Sequence, residues 1–210
     1  MADIIVAGNT SGSITISAPL VAGSGVLTLP TGTDTLIGKA TTDVLTNKSI
    51  AASQLTGTIA AAALPAGSVL QVVSATTNAI STTTSTSFID ISGLSVAITP
   101  RSASNNILIM FTIGATANTA GTMNFNIVRG ATPIAQPATG TVPATINMFG
   151  GGGGAVWSGA MTWLDSPATT SSTTYKIQYR TDAGTLCFNR HPSNVNYNAV
   201  SAITLMEIQG

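Results

Sequence analysis

The sequence predicts an all-β protein, an antiparallel jelly-roll-like β-sandwich preceded by an extended N-terminal arm. Three observations predict this fold class. Apolar residues make up 44% of the 210 positions, which is enough to bury a core. Charged residues make up only 7%, and polarity comes from 34 Thr and 21 Ser, which favour pleated strands and turns. From residue 67 onward, short runs alternate between apolar and polar residues with the period of two that strands require.

The first part of the chain, residues 1–66, differs from the rest because it contains no aromatic residue and few large apolar ones. Ile14 and Ile16 alternate with polar neighbours in a short extended piece. A segment of this composition cannot close a core alone, so we expect residues 1–66 to form an arm and connector that lies on a partner surface. Within it, residues 57–65 are expected to form one or two helical turns that end at Pro65.

Residues 67–210 are predicted to form the sandwich domain. Its expected strands are Val69–Val73, Phe88–Ile91, Leu94–Ile98, Ile107–Ile113, Met123–Ile127, Ala155–Leu164, Tyr175–Tyr179, Thr185–Asn189 and Val200–Ile208. About eight to ten short strands with frequent turns indicate two stacked sheets. A jelly roll is the first choice and another antiparallel sandwich is the alternative.

Three of the predicted strands carry apolar residues on both faces: Ile107–Ile113, Ala155–Leu164 and Val200–Ile208. In a small sandwich, a second apolar face indicates that one sheet is covered by another subunit. Few charges protect the strand edges, and self-association would also cover exposed edges. The sequence therefore predicts a homo-oligomer built mainly by the sandwich domain.

The charge pattern excludes several partners. Seven basic and seven acidic residues are scattered singly and give a net charge of zero, whereas a nucleic-acid-binding protein needs clustered Lys and Arg. The N-terminus has neither a basic region nor a signal-length apolar run, and polar residues interrupt the uncharged stretch 102–128. We therefore expect no nucleic acid, no membrane insertion and synthesis in a cytoplasm without a signal peptide.

Titratable residues are too few and too scattered to predict catalysis. The acids occur singly, and the lone histidine, His191, leaves no set for a zinc site or a Ser–His or Cys–His pair. Cys187 lies between Leu186 and Phe188, a pattern that indicates a buried strand thiol. The glycine run 150–154 precedes a strand and no helix, unlike a phosphate-binding loop. We predict that the chain is not an enzyme and has no catalytic residue, metal or cofactor.

One loop has the composition of a binding site. Residues 189–198 contain Arg190, His191 and Tyr197 among several Asn amides, and such groups recognise sugars or peptides. An ordinary polar loop is the alternative. Trp157 and Trp163 fall on one strand face, for which core packing is predicted in preference to a sugar-binding platform.

Several segments resemble proteins of bacteriophage particles. Residues 12–19, GSITISAP, residues 25–30, GVLTLP, and residues 36–50, LIGKATTDVLTNKSI, resemble the N-terminal piece of phage tail-fibre and virion structural proteins. Residues 88–100, FIDISGLSVAITP, residues 174–179, TYKIQY, and residues 203–208, ITLMEI, are similar to a domain of marine and freshwater phage fibres, cyanophage-like appendages among them.

This resemblance implies a homotrimer with a β-sandwich knob, anchored to the virion by its N-terminal region. The chain has no repetitive shaft, which favours a short tail fibre or a capsid-decorating (cement) protein and leaves both open. The implied partners are other virion proteins, either the major capsid protein or tail and baseplate proteins, and the implied location is the particle surface. The alternative function is a lectin-like module that recognises host surface glycans through Arg190, His191 and Tyr197.

Overall fold

The structure, a computed structural model of the chain, describes residues 4–7, 11, 13–16, 49–51, 53, 56, 57, 59–150 and 155–210. The chain divides into two units, Met1–Thr56 and Gly57–Gly210. In the first unit, strands β1 (Ile4–Ala7) and β2 (Ser13–Ile16) pair antiparallel. Strand β2 includes Ile14 and Ile16, from which the sequence predicts an extended piece. The remaining predictions for the arm, at residues 17–48, lie outside the described residues.

The second unit consists of two antiparallel sheets. Four strands lie side by side in the first sheet, in the order β3 (Val69–Thr77), β13 (Ser201–Ile208), β6 (Asn106–Asn118) and β10 (Trp157–Asp165). Strand β12 (Leu186–Phe188) pairs with the last residues of β6, and β4 (Ser81–Thr83) pairs with β12. The second sheet contains β5 (Ile89–Ile98), β11 (Thr173–Thr181) and β7 (Thr122–Arg129), with β8 (Thr132–Ile134) and β9 (Ile146–Phe149) on β7. Because β13 and β10 pair with the same stretch of β6, they flank it on opposite edges.

The chain crosses repeatedly between the two sheets. It runs from β3 in the first sheet to β5 in the second, back to β6 and again to β7. The second half repeats this pattern through β9, β10, β11 and β13. This crossing between two antiparallel sheets is the connectivity of a jelly roll. The predicted all-β, jelly-roll-like sandwich is confirmed for the described residues.

The core lies between the two sheets because alternate residues of each strand point inward. Its fully buried side chains include Leu94, Ile107, Ile109, Phe111, Ile113, Met123, Phe125, Ile127, Tyr175, Ile177, Leu186, Phe188, Ile203 and Leu205. The inward positions are those predicted from the period of two. Cys187 on β12 is also buried, as predicted.

Strand β5 differs from the prediction because Gly93 does not separate two strands. Gly93 has φ +83°, and a Cβ built there would lie 2.9 Å from the Thr77 side chain. The register of β5 with β11 shifts between Lys176 and Gln178, which marks a bulge at this glycine. Four residues of β5, 91–94, stand opposite the single residue Ile177 of β11, so the strand absorbs three extra residues here and continues, and two predicted strands are one.

The start of the second unit is held by the C-terminus. Residues Ala61–Ala63 form a single 3₁₀ turn, so the helical turn expected before Pro65 is present. The Gln209 side-chain amide donates to the Leu64 carbonyl at 2.9 Å, and the Gly67 N–H donates to the Gln209 carbonyl at 2.8 Å. Because of these bonds, residues 61–67, most of which the sequence predicts as part of a connector, belong to the sandwich unit.

Candidate interaction surface

A polar triad joins the two sheets near one end of the sandwich. Asp165 ends β10 in the first sheet, while Arg129 and Tyr175 belong to the second. The Tyr175 hydroxyl donates to Asp165 at 2.6 Å, and Arg129 Nη1 lies 2.9 Å from both Asp165 oxygens. Burial raises the pKa of Tyr175, and its bond to Asp165 raises it further. The phenol therefore stays a protonated donor, and the triad works as a link between sheets.

Glu207, the single glutamate of the chain, is buried on β13 and fully engaged in hydrogen bonds. The Asn105 amide and the Arg101 N–H each donate to Oε1 at 2.6 Å, and the Gln71 amide donates to Oε2 at 2.6 Å. Burial works to raise the pKa of this carboxyl, but the three donors outweigh it, and the pKa lies below its ordinary value. Glu207 thus stays ionised and ties β13 to β3 and to the turn before β6.

The outer face of the second sheet is polar and charged along β5 and β11. Lys176 Nζ lies 2.7 Å from Asp90, and the Gln178 amide donates to Asp90 at 2.7 Å. The hydrogen bond from Lys176 lowers the pKa of Asp90 most, and the hydrogen bond from Gln178 lowers it further. Arg180 lies further along the same face of β11, with its guanidinium 5.8 Å from the centre of the Phe88 ring. This face has the composition of a surface that remains in water.

The outer face of the first sheet is different, because it carries no charged side chain in its described strands β3, β13, β6 and β10. One row across it is entirely apolar. Val72 lies opposite Met206, Met206 lies opposite Leu108, and Leu108 lies opposite Leu164. Val72 and Leu164, at the two ends, are each 54% exposed. We call these four residues the apolar row.

The neighbouring rows of this face contain uncharged side chains, all of them small except Met110. They are Ser74, Thr204, Met110 and Thr162 in one row, and Thr76, Ala202, Thr112 and Ala160 in the next. The strands β6, β10 and β13 are those for which the sequence predicts two apolar faces, and the structure places all three side by side in one sheet. The outer face of these four strands is therefore uncharged, and the apolar row is its most hydrophobic part.

The two tryptophans of β10 are not core residues, so the prediction of core packing is wrong. Their register opposite Thr116 and Ile109 places both on the inward side of β10, as the even spacing indicates. Strand β10 is an edge strand, however, and the second sheet does not cover them. Trp157 is 46% exposed and Trp163 is 39% exposed. Alternation predicted their direction correctly, but it could not predict that β10 lies at an edge.

The predicted binding loop is closed at its base by Asn189. This residue is fully buried with φ +55°, and its amide donates to the carbonyls of Thr77 at 3.0 Å and Ala79 at 3.3 Å. Its Oδ1 accepts a hydrogen bond from Ser201 at 2.6 Å. Arg190 pairs with Asn198 across the loop as an isolated bridge. The loop therefore projects from a fixed base.

The structure separates Arg190 from the other two predicted binding residues. Its Nε donates to the His191 carbonyl at 3.2 Å and its Nη2 to the Pro192 carbonyl at 3.0 Å, so the guanidinium is used inside the loop. His191 and Tyr197 do come together, with ring centres 6.2 Å apart in an edge-to-face arrangement. Both rings line an open depression of about 400 Å³ that is also bordered by Val156 and Asn198. Tyr197 is 69% exposed.

No metal-binding cluster is assembled in the part of the chain that the structure describes. Among those residues, no three His, Cys, Asp or Glu side chains lie together in a way that could hold a metal ion. Among the described residues, no helix is long and apolar enough to cross a membrane. The described acids hold strands and turns together, Asp182 among them through a 2.5 Å bond from the Thr122 N–H.

Comparison with known proteins adds no family assignment. No protein-family model matches the chain, and no curated protein sequence matches it.

Proposed function

We propose that this chain is a structural protein of a phage virion, a homotrimeric short fibre or capsid-decorating (cement) protein that is anchored by its N-terminal arm. The resemblance of residues 12–19, 25–30 and 36–50 and of the sandwich segments to phage appendage proteins supports the assignment to a virion. The uncharged outer face of the β3–β13–β6–β10 sheet supports self-association. The difference between this face and the charged outer face of the other sheet is the observation that carries the proposal.

The two outer faces of the sandwich differ in how favourably water hydrates them. Asp90 and Lys176 keep the second sheet hydrated, whereas the apolar row would lie against water in a monomer. Covering apolar surface stabilises an assembly by about 25 cal/mol per Å². A second copy of the chain can cover this face without burying an unpaired charge, which would oppose association. The surface therefore fits another subunit of the same protein.

Within a virion, the sandwich unit would be displayed and residues 1–50 would contact other virion proteins, either the major capsid protein or tail and baseplate proteins. The protein would be made in the host cytoplasm and reach the particle by assembly. Neither catalysis nor a cofactor is needed for this role.

The direct test uses phage particles purified from the host that makes this protein. We expect the protein to sediment with intact particles and an antibody against the sandwich unit to label the particle surface in electron micrographs. A chain that lacks residues 1–50 should still self-associate but should not attach. Recovery of the protein only in the soluble lysate, with unlabelled particles, would overturn the proposal.

The depression beside His191 and Tyr197 favours a second candidate function, recognition of host surface glycans. Aromatic rings stack on sugar faces, and neighbouring amides such as that of Asn198 bond to hydroxyls. Threefold display would strengthen weak single-site binding by avidity. Replacing His191 and Tyr197 together with alanine, and leaving Arg190 to hold the loop, should reduce adsorption of particles to host cells at an unchanged melting temperature. Unchanged adsorption would remove this function and leave the structural one.

A further inference from the structure

A second group of side chains suited to a ligand lies in one row across the outer face of the second sheet. Arg180 of β11 lies opposite Asn124 of β7, and Asn124 lies opposite Asn147 of β9. Phe88, directly before β5, extends the row on the other side of Arg180, and the centre of its ring lies 5.8 Å from the guanidinium carbon. We call Phe88, Arg180, Asn124 and Asn147 the arginine row.

Arg180 is a cation that has no partner in the described part of the chain. Its Nε is buried without a hydrogen-bond acceptor, and the ion pairs of the described residues do not include it. The acids nearest to it in register and sequence, Asp90 and Asp182, are bonded to other groups. Asp90 pairs with Lys176 at 2.7 Å, and Asp182 accepts a hydrogen bond from the Thr122 N–H at 2.5 Å. An unpaired guanidinium favours an anionic ligand, because its planar set of N–H groups matches the two oxygens of a carboxylate.

The other end of the row presents a hydrogen-bond donor and an aromatic ring. The Asn124 amide donates to Asn147 Oδ1 at 2.6 Å, so the NH₂ group of the exposed Asn147 is left without an acceptor among the described residues. Phe149 lies two residues further along β9 on the same outward face, and it is 76% exposed. Adjacent strands are about 4.8 Å apart, so Asn147 on β9 lies roughly 10 Å from Arg180 on β11. A ligand that contacts both ends is therefore longer than a small anion.

We infer that the arginine row and Phe149 bind an acidic saccharide, with a carboxylate on Arg180 and a neighbouring sugar ring against Phe149. Arg180 and Asn147 both present donors, which select carboxylate and hydroxyl oxygens. The exposed ring of Phe149 offers an apolar surface to the C–H face of a sugar. A nucleic acid does not fit, because binding its phosphates takes several clustered cations and the arginine row has a single one.

The arginine row differs from the depression beside His191 and Tyr197 in both chemistry and place. The guanidinium of Arg190 is bonded to carbonyls of its own loop, so that depression offers no unpaired guanidinium. The arginine row lies on the outer face of the second sheet, whereas the apolar row lies on the outer face of the first. Self-association through the apolar row therefore does not cover the arginine row, and the saccharide can bind either a monomer or an assembly.

Saturation-transfer NMR on the full chain at neutral pH tests the site with a matched pair of probes. Digalacturonic acid carries carboxylates, and its dimethyl ester has the same two sugar rings without the charge. We expect the acid to bind and the ester to bind about tenfold more weakly, because hydrogen bonds to a charged group are the stronger ones. Acetate and inorganic phosphate supply an anion without the sugar rings, and both should bind more weakly than the acid.

Variants of the chain locate the ligand on the protein. Arg180→Gln should reduce the affinity for digalacturonic acid about tenfold. Arg180→Lys keeps the charge but not the planar fork, and it should give an intermediate affinity. Phe149→Ala should reduce the saturation transferred to the protons of the sugar rings. Arg101→Gln is the matched control, because it makes the same change in net charge at an exposed position outside the row, and it should leave the affinity unchanged. The melting temperature of each variant shows whether it is folded.

Equal affinity for the acid and its ester, or equal affinity of R180Q and the unmodified chain for the acid, would overturn the acidic-saccharide site. If R180Q does not fold, equal affinity of R180K and the unmodified chain is the contradicting result. Phosphate binding as tight as that of the acid would also overturn it, since the site would then be a general anion site. Loss of binding in H191A/Y197A would place the saccharide in the loop depression, which would overturn the arginine row but leave the glycan recognition proposed above standing.

Discussion

Leu164 on β10 lies directly opposite Leu108 on β6, on the outer face of the first sheet. Met206 and Val72 extend this contact across the two remaining strands. A row of four apolar side chains on the outside of a sheet is unusual for a surface that water covers, because outward positions in such a sheet are normally polar. The opposite outer face of the same sandwich follows that rule and carries Asp90 and Lys176.

Glu207→Gln should lower the stability of the sandwich unit by about 1–3 kcal/mol. Both carboxylate oxygens accept hydrogen bonds, so the NH₂ group of the glutamine would face groups that are themselves donors. Folding lowers the pKa of Glu207 below its ordinary value of 4.5. Its contribution is therefore full above pH 4.5 and is lost as the pH falls through the folded-state pKa. Denaturant unfolding from pH 3 to pH 7 should show a steeper acid loss in the unmodified chain than in E207Q.

The matched control for this prediction is Asp90→Asn. Asp90 also has a lowered pKa, but its carboxylate lies on an exposed face, where ion pairs contribute little. We expect a change of less than about 1 kcal/mol. Equal effects of E207Q and D90N would contradict the structural role given to Glu207.

Tyr175→Phe should destabilise the unit by about 1–3 kcal/mol, because it removes a 2.6 Å hydrogen bond to the buried carboxylate of Asp165. Tyr179→Phe is the control, since the Tyr179 hydroxyl lies 3.2 Å from the hydroxyl of Ser81 in a neutral pair. Thermal unfolding should therefore show a clearly larger decrease in melting temperature for Y175F than for Y179F.

The pH dependence of Tyr175 has the opposite sign to that of Glu207. Folding raises the pKa of the phenol above its ordinary value of 10.0, so its contribution is full below pH 10.0 and declines as the pH rises beyond it. The unmodified chain should lose stability above this pH more steeply than Y175F. Parallel alkaline curves for the two proteins would contradict the assignment.

Gly93→Ala should be more destabilising than Gly130→Ala, although both glycines have positive φ, +83° and +59°. Alanine at either position is strained by about 1–2 kcal/mol because of its backbone conformation. Only at Gly93 would the added Cβ also press on Thr77, whereas the space around Gly130 is open. The difference between the two unfolding free energies isolates the contact of the bulge with β3, and equal losses would show that this contact is unimportant.

Arg190→Ala should increase backbone hydrogen exchange throughout the loop 190–198, because the guanidinium holds the carbonyls of His191 and Pro192. Tyr197→Ala removes an exposed ring and should leave exchange in the rest of the loop nearly unchanged. Exchange followed by mass spectrometry compares the two variants. If exchange in the loop is unchanged in R190A, the guanidinium does not hold the loop and Arg190 is available to contact a ligand.

The sequence was most informative where strands are long and half-buried. The alternation of Ile107, Ile109 and Phe111, and of Tyr175 and Ile177, correctly identified both the strands and their buried faces. The apolar excess on the other side of β6, β10 and β13 also indicated one special sheet, because these strands are neighbours. Local pattern succeeds here because the period of two is itself the geometry of a strand.

The remaining features depend on which strands become neighbours, and no local pattern contains that information. Strands β4, β8 and β9 are three or four residues long, too short to show alternation. The exposure of Trp157 and Trp163 follows from the position of β10 at an edge. The internal use of Arg190 follows from the turn of its loop, so composition alone grouped it with His191 and Tyr197.

The mass of the assembly in solution tests the central claim, that the uncharged outer face is a subunit interface. Light scattering coupled to size exclusion at micromolar concentration should give the unmodified chain three times its 21.0 kDa chain mass. Val72→Lys with Leu164→Lys places charges at both ends of the apolar row and should give a folded monomer, whereas Ser92→Lys with Ala97→Lys on the other sheet should remain trimeric. An unmodified chain that elutes as a stable 21.0 kDa monomer would contradict the account.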